Sequence, residues 1–220
     1  MIWSDEGYLL SKNNFDENSI IIDVFTLKHG KYTGIVYGGS SRKQKRNFQL
    51  GNKILLNWKS KNENKSGYFS IELIKPIAPM FFDNKKKIAC ILSAVSILKI
   101  LLPERQINEK IYHSFEDMLD SLNYKNWIKF YIFWEVSLIK ELGYETNFLT
   151  KSDKNDFVNI NSKNFKVPSI FLENKDKTFL NTDIKEALFF NKQLLMENFI
   201  TPNNLRFPLF RNILEKYYNK

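Results

Sequence analysis

The sequence contains few of the residues on which many common sites and scaffolds depend. Its single cysteine, Cys90, excludes an internal disulfide and a four-cysteine zinc site. The only histidines, His29 and His113, are far apart in sequence. Eight glycines and six prolines are too few for a collagen-like or flexible-repeat chain.

Long hydrophobic runs are also missing. The most apolar segment, residues 88–102, includes Ser93, Ser96 and Lys99 and is shorter than the roughly 20 apolar residues that cross a bilayer. The N-terminus lacks the basic start and apolar stretch of a signal peptide. We therefore expect a cytoplasmic protein without membrane contact.

Positive charge is abundant, and its net excess is confined to residues 28–65. This segment has ten basic residues and one acidic residue, Glu63, which gives +9. The remaining 23 basic and 23 acidic residues cancel. Charge concentrated in this way indicates a site for a polyanion.

The N-terminal third predicts five short strands. They cover Tyr8 to Ser11, Ser19 to Thr26, Tyr32 to Tyr37, Ile54 to Trp58 and Tyr68 to Ile74. Two of the connections between these five strands are long and polar. This pattern is typical of a small antiparallel barrel of the oligonucleotide-binding (OB) type. An SH3-like barrel has a similar number of strands and remains an alternative.

The rest of the chain changes to helical periodicity. Helices are expected from Lys85 to Leu102, near Asn108 to Leu122, from Trp127 towards Gly143, and in two later segments that end near Phe199 and Tyr218. The fold class is thus α+β, with an OB-fold domain over residues 1–79 and an all-helical domain over residues 80–220. A loop-rich, irregular insertion is expected at about residues 147–180.

The basic segment is predicted to bind nucleic acid. Aromatic residues lie among its lysines, as in proteins that pair a positive groove with base stacking: Tyr32, Tyr37, Phe48 and Trp58. For each ring taken individually, packing in the barrel core is the first explanation and base stacking the second. The predicted DNA-binding residues are Lys28, Lys31, Arg42, Lys43, Lys45, Arg46, Lys53 and Lys59.

Catalysis has little support, because the chain contains no HExxH motif, nucleophile elbow or phosphate-binding glycine loop. We expect no catalytic residues, metal or cofactor. Cys90 is expected to be a small buried hydrophobe. Glu135 is either a buried carboxylate paired with a base from another helix or a partly exposed residue.

One helix is unusually rich in aromatic residues. Core packing is the first explanation, and a groove for a partner peptide is the second. The candidate peptide-binding residues are Lys125, Trp127, Lys129, Tyr131 and Trp134.

An ordered series of short motifs resembles the bacterial DNA repair protein family RecO. The motifs are Trp3-Ser4-Asp5-Glu6-Gly7-Tyr8, His29-Gly30, Gly38-Gly39-Ser40-Ser41-Arg42, Leu50-Gly51-Asn52, Leu102-Pro103-Glu104-Arg105 and the run from Phe133 to Tyr144. The similarity extends through most of the chain and is weakest between residues 147 and 177.

The resemblance implies a recombination mediator that is associated with the nucleoid. Such a protein would bind single- and double-stranded DNA, anneal complementary strands and assist RecA loading together with RecR and possibly RecF. It would also recognise the acidic C-terminal tail of single-stranded DNA-binding protein (SSB). Many relatives have a zinc-binding cysteine cluster near residues 148–153, but this chain has no cysteine there, so no zinc is expected. Two alternatives are an RNA-binding OB-fold module with a role in translation and an enzyme that acts on nucleic acid.

Overall fold

The computed structural model describes residues 2–39, 48–60, 67–144, 157–172 and 180–219. The chain divides into two compact units, residues 1–113 and 114–220. The boundary expected between residues 79 and 80 stays a prediction. Each unit is described by itself below.

The first unit contains a closed five-stranded barrel. The strands are β1 (Ile2–Asn14), β2 (Ser19–Thr26), β3 (Gly30–Tyr37), β4 (Lys53–Lys59) and β5 (Tyr68–Lys75). Around the barrel they follow the order β1-β2-β3-β5-β4. The expected five-stranded barrel of OB type, followed by helices, is confirmed.

The expectation of a purely antiparallel barrel is wrong, because β3 and β5 pair in parallel through Ile35 and Tyr68. The other four strand pairs are antiparallel. The reason is geometric. In a closed ring of five strands, strict alternation of direction gives the first and the last strand the same direction. Since these two strands are also neighbours, at least one pair must be parallel.

Inward-facing side chains fill the barrel at alternate positions, as the pleat of a strand requires. Ile22, Val24 and Leu56 are among the fully buried members of this core. Trp58 is 3% exposed and lies against two glycines. A Cβ atom added to Gly34 or Gly67 would lie 2.5 or 2.2 Å from the Trp58 ring, so the indole occupies space that only glycine leaves open.

Helices complete the first unit. A short 3₁₀ helix (Ala78–Phe81) precedes α1 (Lys85–Leu101). Asn84 caps α1, with its side-chain oxygen accepting a hydrogen bond from the Lys87 amide at 3.1 Å. Cys90 is completely buried in α1, in agreement with its expected role. The next helix, α2 (Glu109–Ser121), contains the division between the two units.

The second unit is mainly helical. Its elements after α2 are α3 (Trp127–Glu141), β6 (Phe157–Ile160), β7 (Lys163–Lys166), α4 (Ser169–Leu172), α5 (Asn181–Leu195) and α6 (Leu209–Lys216). A π-helical turn, Met196–Ile200, continues α5. The region predicted as an irregular insertion thus includes an antiparallel hairpin, β6–β7, and a short helix. Residues 145–156 and 173–179 lie outside the described ranges.

A buried ion pair connects α3 with α6. The Arg211 Nε donates to Glu135 Oε1 at 2.6 Å, and Nη2 lies 3.2 Å from Oε2. Tyr131 and Asn191 also donate to the Glu135 carboxylate, at 2.6 and 3.0 Å. Both charged side chains have no solvent exposure. Of the two roles considered for Glu135, the paired buried carboxylate is confirmed.

The environment of Arg211 keeps its guanidinium charged. Burial by itself would lower the pKa of Arg211, but the charge of Glu135 outweighs this effect and raises the pKa above its ordinary value. A buried pair of this kind is costly to break, because removal of one partner leaves the other charge uncompensated.

We expect Glu135→Leu and Arg211→Met each to reduce the free energy of unfolding by about 3–5 kcal/mol, because each leaves a buried charged group without its partner. The double variant Glu135→Leu/Arg211→Met should lose less than the sum of the two single changes. Urea unfolding of the full chain measures all three. Additive losses would show that the two side chains do not depend on each other.

Candidate nucleic-acid interface

The predicted DNA-binding residues fall into two groups. Arg42, Lys43, Lys45 and Arg46 lie in the segment 40–47, outside the described residues. Lys28, Lys31, Lys53 and Lys59 lie on the described part of the barrel unit. The positions of these last four can therefore be compared with their expected role.

Lys28 lies in the turn between β2 and β3, with an exposed side chain. The buried carboxylate of Asp5 holds this turn. It accepts a hydrogen bond from the Lys28 amide at 2.8 Å and lies 2.9 Å from Nδ1 of His29. The His29 ring stacks on Trp3, with the centroids 4.0 Å apart and the planes at 9°. The backbone that presents Lys28 is thus well fixed.

Lys31 and Lys53 are largely buried and have carboxylate partners. Lys31 Nζ lies 3.4 Å from Glu104 and donates to the Lys99 carbonyl oxygen at 3.0 Å. Lys53 Nζ lies 3.1 Å from Glu6 and 5.9 Å from the centre of the Tyr8 ring. These contacts reduce the charge that either lysine can offer to a phosphate, so their predicted DNA contacts are supported less well than that of Lys28.

Lys59 ends β4 and is exposed, and its register partners are Ile2 on β1 and Tyr68 on β5. Tyr68 and Tyr37 are 39% and 66% exposed, and their ring centroids are 5.9 Å apart. Lys59 and these two rings therefore belong to the outer surface formed by β3, β5 and β4.

The four aromatic residues of the basic segment have different environments. Phe48 and Trp58 are 1% and 3% exposed and belong to the barrel core. Tyr37 is exposed, and Tyr32 is partly exposed. The two tyrosines therefore offer far more ring surface to a ligand than Phe48 and Trp58 do.

A groove of about 560 Å³ lies over β2 and β3. Its walls are mainly apolar and aromatic, with one charge of each sign, and include Phe15, Ile21, Tyr32, Trp58, Glu104 and Arg105. This volume is within the range of about 300–1,000 Å³ that is typical of small-ligand sites. In OB-folds the surface of the second and third strands is a common site for oligonucleotides.

A polar network around Asp23 fixes one side of this groove. Ser11 and Thr33 donate to the Asp23 carboxylate at 2.5 and 2.6 Å. Lys99 of α1 lies 3.0 Å from the same carboxylate. Since Thr33 also lines the groove, the network connects the groove wall with β1 and α1.

The pKa of Asp23 is lowered by this network. Burial alone would raise the pKa, but the hydrogen bonds from Ser11 and Thr33, together with the charge of Lys99, outweigh it. The ionised carboxylate is therefore the form that the folded protein prefers.

The candidate peptide-binding residues of the second unit are only partly accessible. Trp127, Tyr131 and Trp134 are 8%, 0% and 4% exposed, so they form part of the core of this unit. Nearby, Tyr124 and Phe130 are 63% and 47% exposed, with ring centroids 5.8 Å apart. Lys125 is exposed and Lys129 is partly exposed, and they lie between these two rings in sequence.

Within the described ranges, no group of three or more His, Cys, Asp or Glu side chains is arranged to hold a metal ion. Residues 148–153, at which the family resemblance raised the question of a zinc site and for which no zinc was expected, lie outside those ranges. None of the described helices has both the length and the apolar character needed to span a bilayer.

Comparison with known proteins agrees with the barrel and the helices that follow it. Residues 1–77 match the model "Recombination protein O N terminal", and residues 84–156 match "Recombination protein O C terminal". The chain belongs to the RecO family.

Three relatives illustrate the extent of the similarity, each named DNA repair protein RecO. Proteins from Cereibacter sphaeroides and Roseobacter denitrificans are 34% identical over 144 and 145 residues, and one from Hyphomonas neptunium is 33% identical over 147 residues. Each match covers 66% of this chain. The chain spans about 60% of the length of these relatives.

Phe15 and Arg105 are among the groove residues that sequence reasoning missed. Phe15 lies in the short β1–β2 loop and is 54% exposed, which is a conspicuous position for a phenylalanine. Arg105 belongs to the Leu102–Arg105 motif that supported the RecO resemblance. Sequence reasoning did not assign Arg105 to the barrel, because Arg105 follows α1 and is far from β3 in sequence.

We expect Asp23→Asn to reduce the free energy of unfolding at pH 7 by about 1–2 kcal/mol, because it weakens hydrogen bonds to a charged acceptor. The pKa of Asp23 is lower in the folded protein than in the unfolded chain, where it is about 3.9. The ionised carboxylate therefore stabilises the folded protein at pH values above about 3.9. This stabilisation is lost as the pH falls through the folded-state value. The difference between wild type and variant in urea unfolding should therefore stay nearly constant from pH 7 to about pH 5 and shrink as the pH falls below about 3.9.

Asp83→Asn removes one exposed carboxylate from the same unit and controls for the change in net charge. A difference between wild type and Asp23→Asn that does not shrink when the pH falls below about 3.9 would contradict the role given to the Asp23 carboxylate.

Proposed function

We propose that this chain is a non-enzymatic recombination mediator in DNA repair. It binds single- and double-stranded DNA without reading the sequence and anneals complementary strands. With RecR, and possibly RecF, it assists the loading of RecA onto strands covered by SSB. The observation that carries this proposal is the location of the whole net charge of +9 in residues 28–65, in a RecO-family chain in which this segment includes the barrel strands β3 and β4.

The charge distribution suggests how annealing could proceed. Two DNA strands repel each other through their phosphates, and a cationic segment reduces this repulsion by replacing condensed counterions. Contacts to phosphates carry no sequence information. The base edges remain available for pairing, so complementarity between the strands, and not the protein, determines which strands anneal.

Several structural features support the barrel as the DNA-binding unit. Lys28 and Lys59 expose their side chains on it, and Tyr37 and Tyr68 present rings beside β4. Lys31 and Lys53 contribute less, because each has a carboxylate within 3.4 Å. Arg42, Lys43, Lys45 and Arg46 therefore have the largest part in the proposed site.

The proposed contact with the SSB tail lies in the second unit. An acidic peptide that ends in an aromatic residue would need an exposed apolar surface next to cations. Tyr124 and Phe130, with Lys125 and Lys129 nearby, meet this requirement better than the buried Trp127, Tyr131 and Trp134. We therefore place the peptide on the exposed rings.

We expect the affinity for single-stranded DNA to fall with salt, with a slope of log K against log salt of about −3.5 if about five phosphates are neutralised. Reversal of Arg42, Lys43, Lys45 and Arg46 to Glu should abolish most binding. Fluorescence anisotropy with a labelled oligonucleotide measures both effects. Unlabelled RNA of equal length tests the alternative of an RNA-binding role: stronger competition by RNA than by DNA would favour that role.

The matched control reverses four exposed lysines elsewhere, Lys110, Lys140, Lys185 and Lys216. Each quadruple variant replaces four positive charges with four negative ones, so its net charge falls from +9 to +1. Equal loss of binding in the two folded variants would indicate a general charge effect and contradict the proposed site.

We expect Phe130→Ala to weaken binding of an SSB tail peptide about tenfold, because truncation of an anchoring ring typically costs more than about 1 kcal/mol. Isothermal titration with the peptide measures the change. Phe157→Ala removes a ring that is 60% exposed in the same unit and should have no effect. Equal effects of the two substitutions would remove the assignment to Phe130.

A further inference from the structure

The segment that follows α1 forms part of the groove over β2 and β3. Residues 103–106 run beside the start of β3, where Lys31 and Glu104 form a parallel β-bridge. The Arg105 amide donates to the Lys31 carbonyl oxygen at 2.8 Å. A Cβ atom on Gly30 would lie 2.1 Å from the Gln106 carbonyl oxygen. The close approach of this segment thus requires glycine at position 30.

Arg105 has a backbone conformation that is uncommon for a residue with a side chain. Its φ is +59°, in the left-handed region where most residues are strained. Such a conformation persists when its surroundings determine it, and it is more frequent at functional sites. Here the hydrogen bond to Lys31 holds the backbone, and the guanidinium carbon lies 5.3 Å from the centre of the Tyr32 ring.

The chemistry of the groove favours a nucleobase over a phosphate. Glu104 and Arg105 both line it, so the lining itself has no excess of positive charge, and the Lys31 ammonium nearby is 3.4 Å from Glu104. The remaining walls are apolar and include the rings of Phe15 and Tyr32. Unpaired bases typically stack on aromatic rings and on guanidinium planes and hydrogen-bond through their edges. Glu104 can accept such a bond from a base, and Arg105 can donate one.

We infer that Phe15, Tyr32 and Arg105 form a stacking subsite for a single unpaired nucleobase. The inference rests on the proposed DNA-binding function and adds a preference to it. Phosphates are held elsewhere by the cations of residues 28–65, and the groove accepts a base only when the base is free of a pairing partner. The chain should therefore bind single strands more tightly than duplex DNA of equal length.

The experiment compares two labelled oligonucleotides of about 16 nucleotides, the upper end of the site size of one OB-fold. One is oligo-dT, and the other has the same sugar–phosphate backbone without bases. Fluorescence anisotropy gives both affinities for the full-length chain. We expect tighter binding of oligo-dT by about 5- to 150-fold, which corresponds to one stacked base.

Two variants test the subsite. Phe15→Ala removes a ring, and Arg105→Lys keeps the charge but removes the planar guanidinium. Each should reduce the preference for oligo-dT at least about fivefold and leave the affinity for the abasic strand unchanged. The controls are Phe82→Ala, which removes a ring that is 60% exposed in the same unit, and Arg206→Lys, which changes an exposed arginine outside it.

The outcomes separate this inference from the proposed function. If oligo-dT and the abasic strand bind equally well, or if the Phe15 and Arg105 variants behave like their controls, the subsite is refuted while DNA binding stands. If the wild-type chain binds neither oligonucleotide at low salt, the proposed function fails and the subsite fails with it.

Discussion

The parallel contact between Ile35 and Tyr68 is the constraint on which the rest of the barrel unit depends. Without it, β3 and β5 would present unpaired edges, and an open sheet edge tends to pair with other chains. With it, the ring closes and its inward-facing residues form a core. Space at this closure is limited, since Trp58 fills the region beside Gly34 and Gly67. A closed barrel leaves its outer surface and loops available for a ligand.

This arrangement separates the two tasks of the proposed DNA-binding site. Of the described cations of residues 28–65, Lys28 lies in the turn between β2 and β3 and Lys59 ends β4, where both can reach a phosphate chain. The groove over β2 and β3 is instead fixed by the Asp23 network and by the backbone bond between Arg105 and Lys31. Cationic charge supplies affinity without sequence preference, and a fixed groove lined by one charge of each sign can distinguish a free base from a paired one.

The strands were predictable where apolar and polar residues alternate, and Ser19–Thr26 has the expected bounds. The prediction for β1 began only at Tyr8, because its first half contains Asp5, whose burial depends on hydrogen bonds to the turn at Lys28. Pairings between distant positions carry no local signal. Arg211 was therefore not recognised as the partner of Glu135, and the place of Arg105 over Tyr32 depends on the path of the chain after α1.

The central claim is that the barrel binds single-stranded DNA. The most direct test is photocrosslinking of the 220-residue chain to an oligonucleotide that contains 5-iododeoxyuridine. Mass spectrometry then identifies the crosslinked residues. The account predicts crosslinks to aromatic residues of the barrel unit, above all Phe15, Tyr32, Tyr37 and Tyr68. Crosslinks confined to residues 114–220 would contradict it.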